Sequence, residues 1–433
     1  MTPPSSLEHA PRRLRLPEGQ HYSCIRCSQC CRRWHVALSE AEIEHLRTLD
    51  WPESTPAPVG DPVTTIKGHP YIAHREDGSC VFLAPETGLC RIHGHFGEKA
   101  KPLGCRVYPF NVGSTLPGEA SASVRMDCPA ACRNTGVPLD AHRADLRGYA
   151  DTLARTPPFD EGDLQSLSRK SLDLAVDGAV HIVRNRDRSV ALSAVVLSAY
   201  VDRLDQLGTP FLNDTDTFAT VVPSLIDRLA ETAAGHSYRP VGAFSRGTFR
   251  QWLAAFLRRD EEMIGAPLSA RVGRMAELVK ILVGHGNPGH LGSEHPDIHL
   301  GQTSLFERVR DPQPPPVEPA EEEMAIWDAY RRCVLGRLQT LQFFGNFYYG
   351  RPFLEGLRAL SLFYPLVLAA ARLHAVAETG KRRIRAADVE YAVGAVDHGF
   401  GRSGLLQMGL LRSTEIFFGG LRHASLLASL DWR

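Results

Sequence analysis

Ten cysteines stand in the chain, and nine of them come before residue 133. Cys24, Cys27, Cys30 and Cys31 crowd into His21–Arg33 (HYSCIRCSQCCRR); Cys80, Cys90, Cys105, Cys128 and Cys132 follow singly, and only Cys333 lies beyond. Thiols gathered this way either pair as disulfides or, once deprotonated, hold a metal. The N-terminus, MTPPSSLEHAPRRLRLPEG, has no apolar core of signal-peptide length, so a cytoplasmic protein is expected, where thiol buffers disfavour disulfides and metal is the better reading. Spacing of C-x2-C-x2-C lets one short loop wrap an inorganic centre. It matches the first three ligands of the bacterial ferredoxin run, whose remaining cysteine precedes a proline. Cys24, Cys27 and Cys30 (or Cys31) fit the triplet, and Cys128, followed by Pro129, is an available remote fourth.

Adjacent side chains point to opposite faces of a strand and about 100° apart on a helix, so Cys30 and Cys31 are not expected to grip one metal together. On a helix, Cys24, Cys27 and Cys31 share a stripe and Cys30 is left for another centre. Nine thiols exceed the four that one cluster takes, which leaves room for two centres. Zinc is the rival, with Cys90-x2-His93 a valid half-site. Zinc sites usually come as two separated C-x2-C pairs, however, and the crowding here favours iron–sulfur. Arg26, Arg32, Arg33 and Arg106 are candidates to offset thiolate charge.

The ordered motifs Cys24-x2-Cys27-x2-Cys30-Cys31, Cys80-Val-Phe-Leu, Cys90-Arg-Ile-His93 and Lys101-Pro-x2-Cys105-Arg106-x-Tyr108-Pro109-Phe110 resemble the CxxCxxCC cysteine-cluster family, a zinc- or iron-chelating domain. The resemblance covers about residues 20 to 135. It implies that Cys24, Cys27, Cys30, Cys31, Cys80, Cys90 and Cys105 are candidate metal ligands. Relatives that are flagellin lysine N-methylases carry such a module ahead of a helical region. They are associated with a 4Fe–4S cluster and S-adenosylmethionine, which implies protein-lysine methylation on a flagellin-like acceptor. The alternative is a zinc-stabilised structural or interaction protein without catalysis.

The elements around these residues predict a mainly α protein: a small irregular α+β cysteine-rich module, then an all-helical body. Residues 1–20, with four prolines, read as a disordered lead-in, and 21–139 as the metal-binding domain. Ser39 caps a short helix with Glu42 in capping-box position, and Trp51-Pro52 ends it. A strand is expected at Val63–Lys67, a hairpin at 80–83 and 89–92 around Gly88, and extended or turned chain over Lys101–Phe110. Residues 140–310 read as a helical domain, 311–321 as a Pro-rich linker and 322–433 as a last helical block. Core stripes recur at Phe249, Trp252, Leu253, Phe256 and Leu257, at Leu192, Val195, Val196 and Ala199, and at Val272, Met275, Val279 and Leu282.

Lys+Arg and Asp+Glu are 49 each, which argues against nucleic acid or an electrostatically held membrane site as partner. The apolar run Ala359–Ala371 is too short to span a bilayer. Gly284–Gly289 matches G-x-G-x-x-G, but helix before it and loop after it are the wrong context for a nucleotide. His285, His290, His295 and His299 there read as surface loop. The aromatics Phe343–Tyr349 read as core, Asp397-His398 as a helix-end pair and Cys333 as buried filler. No nucleophile elbow, P-loop or H-E-x-x-H appears, and the C-x3-C-x2-C signature is absent.

Overall fold

The computed structural model describes residues 13–53, 58, 60–66, 68–153, 158–236, 238–257, 268–288, 300, 305–306, 320–380, 383–407, 409–419 and 421–430. The chain is mainly helical, and its small sheets have two or three strands, all before residue 139. Most of the Pro-rich linker and His290, His295 and His299 lie outside the described residues.

Glu119–Val124 is the centre of a three-stranded sheet, antiparallel to Phe110–Ser114 and parallel to Arg13–Arg15. All six of its residues are buried, which its run of Ala and Ser permits because both faces are covered. Arg13–Arg15 corrects part of the expected disordered lead-in. Leu14 is buried, and Arg15 Nε lies 2.7 Å from Glu119 Oε2, so the strand is held by an apolar anchor and an ion pair. Three residues are too few for a strand pattern to show in the sequence.

Two apolar cores form. The smaller gathers Val36, Leu38, Leu46, Ile72, Phe82 and Ile92, with Trp34, Cys80, Cys90 and Cys105 packed against it. Helix Glu40–Arg47 covers it through Leu46 and starts at the expected Ser39–Glu42 capping box. The free oxygen of Glu42 accepts from Leu103 N–H at 2.7 Å. Val63–Ile66 pairs with His69–Ile72 across a turn at Gly68, whose φ of 81° suits a residue without a side chain.

One local expectation changes here. The 80–92 hairpin shrinks to one bridge, Leu83 to Cys90, and Arg91–Phe96 turns helical so that Ile92 is buried in the core and Phe96 packs against it. Within Lys101–Phe110, Leu103–Val107 makes a helical turn, the turned form of the two expected. Pro102 begins it, where no N–H is needed, and Pro109 lies just past its end.

The larger core runs through the sheet and the helical body together. Phe249, Trp252, Leu253, Phe256 and Leu257 are fully buried on helix Ala243–Leu257, and Phe343, Phe344 and Tyr348 are core as expected. The third stripe is different. Val272 and Val279 on helix Leu268–Leu282 are 62% and 65% exposed, whereas Ile281 is buried. The helix is rotated because Leu282 O approaches Gly247 so closely that a Cβ there would lie 2.7 Å away. Phe353–Thr379 is longer and more apolar than the run noted in the sequence, enough by composition to cross a membrane, but its apolar window is 89% buried inside the protein. The sheet is pinned to this body by buried Gln342, whose Nε2 donates to Asn111 O and Ser121 Oγ at 2.9 and 3.0 Å. The division between the two cores therefore falls within residues 21–139.

Candidate metal centre

The cysteine loop is held at both ends. His21–Tyr22 pairs with Val137–Pro138, and Ser23 N–H donates to Thr135 O at 2.8 Å. Beyond this anchor Arg26 and Ser28 adopt φ of 58° and 56°, turning the chain so that Cys24 and Cys27 lie exposed at its surface. Cys30–Arg33 then makes one helical turn. Cys80 N–H donates to Cys31 O at 2.7 Å, which brings the later thiols to the first cluster. Cys90 caps helix Arg91–Phe96 and Cys105 sits in the Leu103–Val107 turn. All ten cysteines are free thiols.

Cys30 and Cys31 do not point apart: their sulfurs are 3.8 Å from each other. Four thiolates about 2.3 Å from a tetrahedral ion stand about 3.8 Å from one another. The pair thus has the spacing of one edge of such a site. The expectation failed because a single turn leaves χ1 free to swing neighbouring thiols together. The Cys31 thiol donates to Cys30 and pulls Cys30 down to about 7, against burial and with help from Lys101, while Cys31 is pushed up by the same bond and by burial.

The electrostatics sort the remaining thiols. Burial pushes Cys80 up to about 11, with Cys90 and Cys30 adding to it. Burial likewise pushes Cys105 up to about 12, and Cys80, Cys90 and Cys30 all reach it. Cys30, Cys31, Cys80, Cys90 and Cys105 thus form one thiol basin. Cys128 is raised to about 12 by burial, although backbone N–H groups of Ala131 and Ala130 oppose this, and the cysteine that acts on it from the first loop is Cys27. Tyr22 is raised by burial and then by Cys128, Cys24 and Cys30, so it lies near thiols of the basin and of a second group, Cys24, Cys27 and Cys128. Cys132 is buried in the large core, and its thiol donates to Glu390 O at 3.3 Å. Cys333 is buried, as expected, but its thiol faces the Asp397 carboxylate at 3.6 Å.

The donor set suits a soft metal: these are thiols, half-buried, beside cationic side chains, and they must lose protons when metal enters. Among the described residues, no three His, Cys, Asp or Glu side chains converge in metal-holding geometry. Among the described side chains, Lys101 and Arg75 are the cations that act on Cys30 and Cys80. Arg26 and Arg32 are exposed, and Arg106 acts on Glu42. His93 is exposed on its helix. Sequence reasoning missed His35 and His74, which stack with ring centres 4.5 Å apart; His74 bridges to Cys80, and His35 Nδ1 is buried without a partner. The one available signal was the nearness of His35 to Cys31 in sequence.

Residues 23–138 match the CxxCxxCC family, described as a "Putative zinc- or iron-chelating domain". The helical body lies outside that match. No curated protein and no solved structure matches the chain. The family's description points to zinc or iron binding, and the match is confined to residues 23–138.

Proposed function

We propose that this domain holds an iron–sulfur cluster, a 4Fe–4S centre, on its thiolates, and that the helical body behind it receives a partner or substrate. The observation that carries the reading is the thiol basin of Cys30, Cys31, Cys80, Cys90 and Cys105, with Cys24 and Cys128 also acting on nearby Tyr22 and Cys27 acting on Cys128. A bound cluster supplies electron transfer or a Lewis-acidic iron. This chain's own residues supply the thiolates, the offsetting charge of Lys101 and Arg75, and the burial that tunes potential. The test is anaerobic purification with elemental analysis. Iron and acid-labile sulfide with absorbance near ~400 nm support the reading; a colourless protein with stoichiometric zinc overturns it.

Zinc is the second reading, favoured by the 3.8 Å between Cys30 and Cys31, because a 4Fe–4S centre takes one thiolate per iron whereas a zinc ion binds neighbouring sulfurs. On that reading the domain is structural and the protein an interaction module.

The finer activity rests on the resemblance alone: cytoplasmic protein-lysine N-methylation with S-adenosylmethionine, on a flagellin-like acceptor. Calorimetry of the metal-loaded protein with S-adenosylmethionine tests it. Saturable heat, followed by methyl transfer to a lysine protein read by mass spectrometry, supports methylation; absence of both removes it and leaves the metal reading standing.

A further inference from the structure

Three stretches of chain that lead to or from the thiols meet at one guanidinium. Trp34 stands three residues past Cys31, Tyr108 stands three past Cys105, and Arg125 to Asp127 runs directly into Cys128. The guanidinium carbon of Arg125 lies over both rings, 5.2 Å from the centre of Trp34 and 5.4 Å from that of Tyr108. The rings are themselves 5.0 Å apart and tilted by 51°, so each of the three groups touches the other two.

The fork of Arg125 is taken by Asp127, with Nε donating to Oδ1 at 3.1 Å, and the Tyr108 hydroxyl donates to the same oxygen at 3.4 Å. The main chain repeats the connection. Arg125 N–H donates to Pro109 O at 2.7 Å, and Cys128 N–H donates to Arg125 O at 3.2 Å. The helical body enters through His398, whose Nδ1 lies 2.9 Å from Asp127 Oδ2 and 3.3 Å from Arg125 Nη2. Gly394, one turn earlier on helix Ala386–Gly399, comes so near Met126 O that a Cβ there would lie 3.0 Å from it. The side chains of Arg125, Asp127 and His398 are almost wholly buried. A cation that served only to neutralise Asp127 would need neither ring; the flat guanidinium fixes the orientation of both.

We infer that Arg125 is a positioning residue of the metal centre: it holds the stretches beside Cys31, Cys105 and Cys128 in register, and through Asp127 and His398 it ties their placement to helix Ala386–Gly399. Metal loading and the seating of that helix are then linked, each favouring the other. This role rests on the reading that the thiols hold a metal, and not on which metal.

The test compares the metal-loaded full chain with Arg125→Met and Arg125→Lys, following release of metal to a chromogenic chelator and hydrogen exchange in Ala386–Gly399. Release is expected to be about ten-fold or more faster from Arg125→Met, with partial rescue by Arg125→Lys, which keeps a cation for Asp127 but loses the flat fork. Arg15→Met, which breaks the Arg15–Glu119 ion pair of the same sheet, is expected to release metal at the parent's rate. Metal is expected to slow exchange in Ala386–Gly399 in the parent and not in Arg125→Met. If Arg125→Met does not fold, Arg125→Lys is read in its place. Parental release from the folded variant, equal acceleration in Arg15→Met, or exchange in the parent that ignores metal overturns the role of Arg125 and leaves metal binding standing. A parent chain that binds no metal overturns both.

Discussion

Asp397 shows how single residues join the thiol-bearing region to the helices. Its buried carboxylate accepts from Arg337, from the Cys333 thiol and from Met126 N–H, and so ties two helices to the chain just ahead of Cys128. Arg337 holds that carboxylate below its usual range in spite of burial. Asp397→Ala leaves Arg337 buried and unpaired, and is expected to cost about 3–5 kcal/mol in denaturant unfolding; a cost under about 1 kcal/mol would contradict this account of the contact. Asp397-His398 stands out in the sequence as a helix-end pair, yet its partners lie 60 to 271 positions away, and no local pattern could name them. His423 is a second residue-scale case. Its ring is fully buried, neither nitrogen has a partner among the described residues, and burial pushes it down to about 3. A folded-state value below the ordinary 6.5 favours the neutral ring, so its contribution is complete above about pH 6.5 and is lost as pH falls towards about 3. His423→Leu is therefore expected to show a shallower loss of stability between pH 6.5 and 4 than the parent. Parallel pH profiles would show that the ring does not titrate on unfolding.

At the scale of elements, what was legible is what local chemistry decides. The Ser39–Glu42 box and the stripe Phe249 to Leu257 each formed where spacing placed them. Helix Leu268–Leu282 was also legible as a helix, but its rotation was not, because apolar residues at Leu278 and Ile281 compete with the Val272–Leu282 stripe and the close approach at Gly247 chooses between them. Unfolding measurements separate the two cases. Phe249→Ala is expected to cost about 3–5 kcal/mol, and Val279→Lys no more than about 0.5 kcal/mol. A large penalty for Val279→Lys would mean that the exposed face is covered in solution. The hairpin at 80–92 was half legible. Gly88 marks the return, but the helix after Cys90 answers to the small core, which periodicity over four residues cannot reveal.

For the whole molecule, the two cores divide the labour. The smaller is built from few side chains and carries Cys80, Cys90 and Cys105 on its flank; the larger is self-sufficient. Metal binding stabilises the state that holds it, so chelation is expected to lower the unfolding of the small core and leave the helical body's transition in place. A single transition unmoved by chelator would mean that the two cores unfold as one and owe nothing to metal. The cluster of thiols was plain from spacing and family resemblance. Its partition into a basin and an outer group was not, since it depends on the Cys31–Cys80 backbone bond between residues far apart in sequence. The most direct measurement is metal stoichiometry in cysteine variants of the full chain, purified without oxygen. Cys31→Ala and Cys80→Ala are expected to lose the bound metal, while Cys132→Ser and Cys333→Ser, whose thiols serve the helical core, keep it in full. Metal retained by the first two variants, or a parent chain that folds with none at all, contradicts the account.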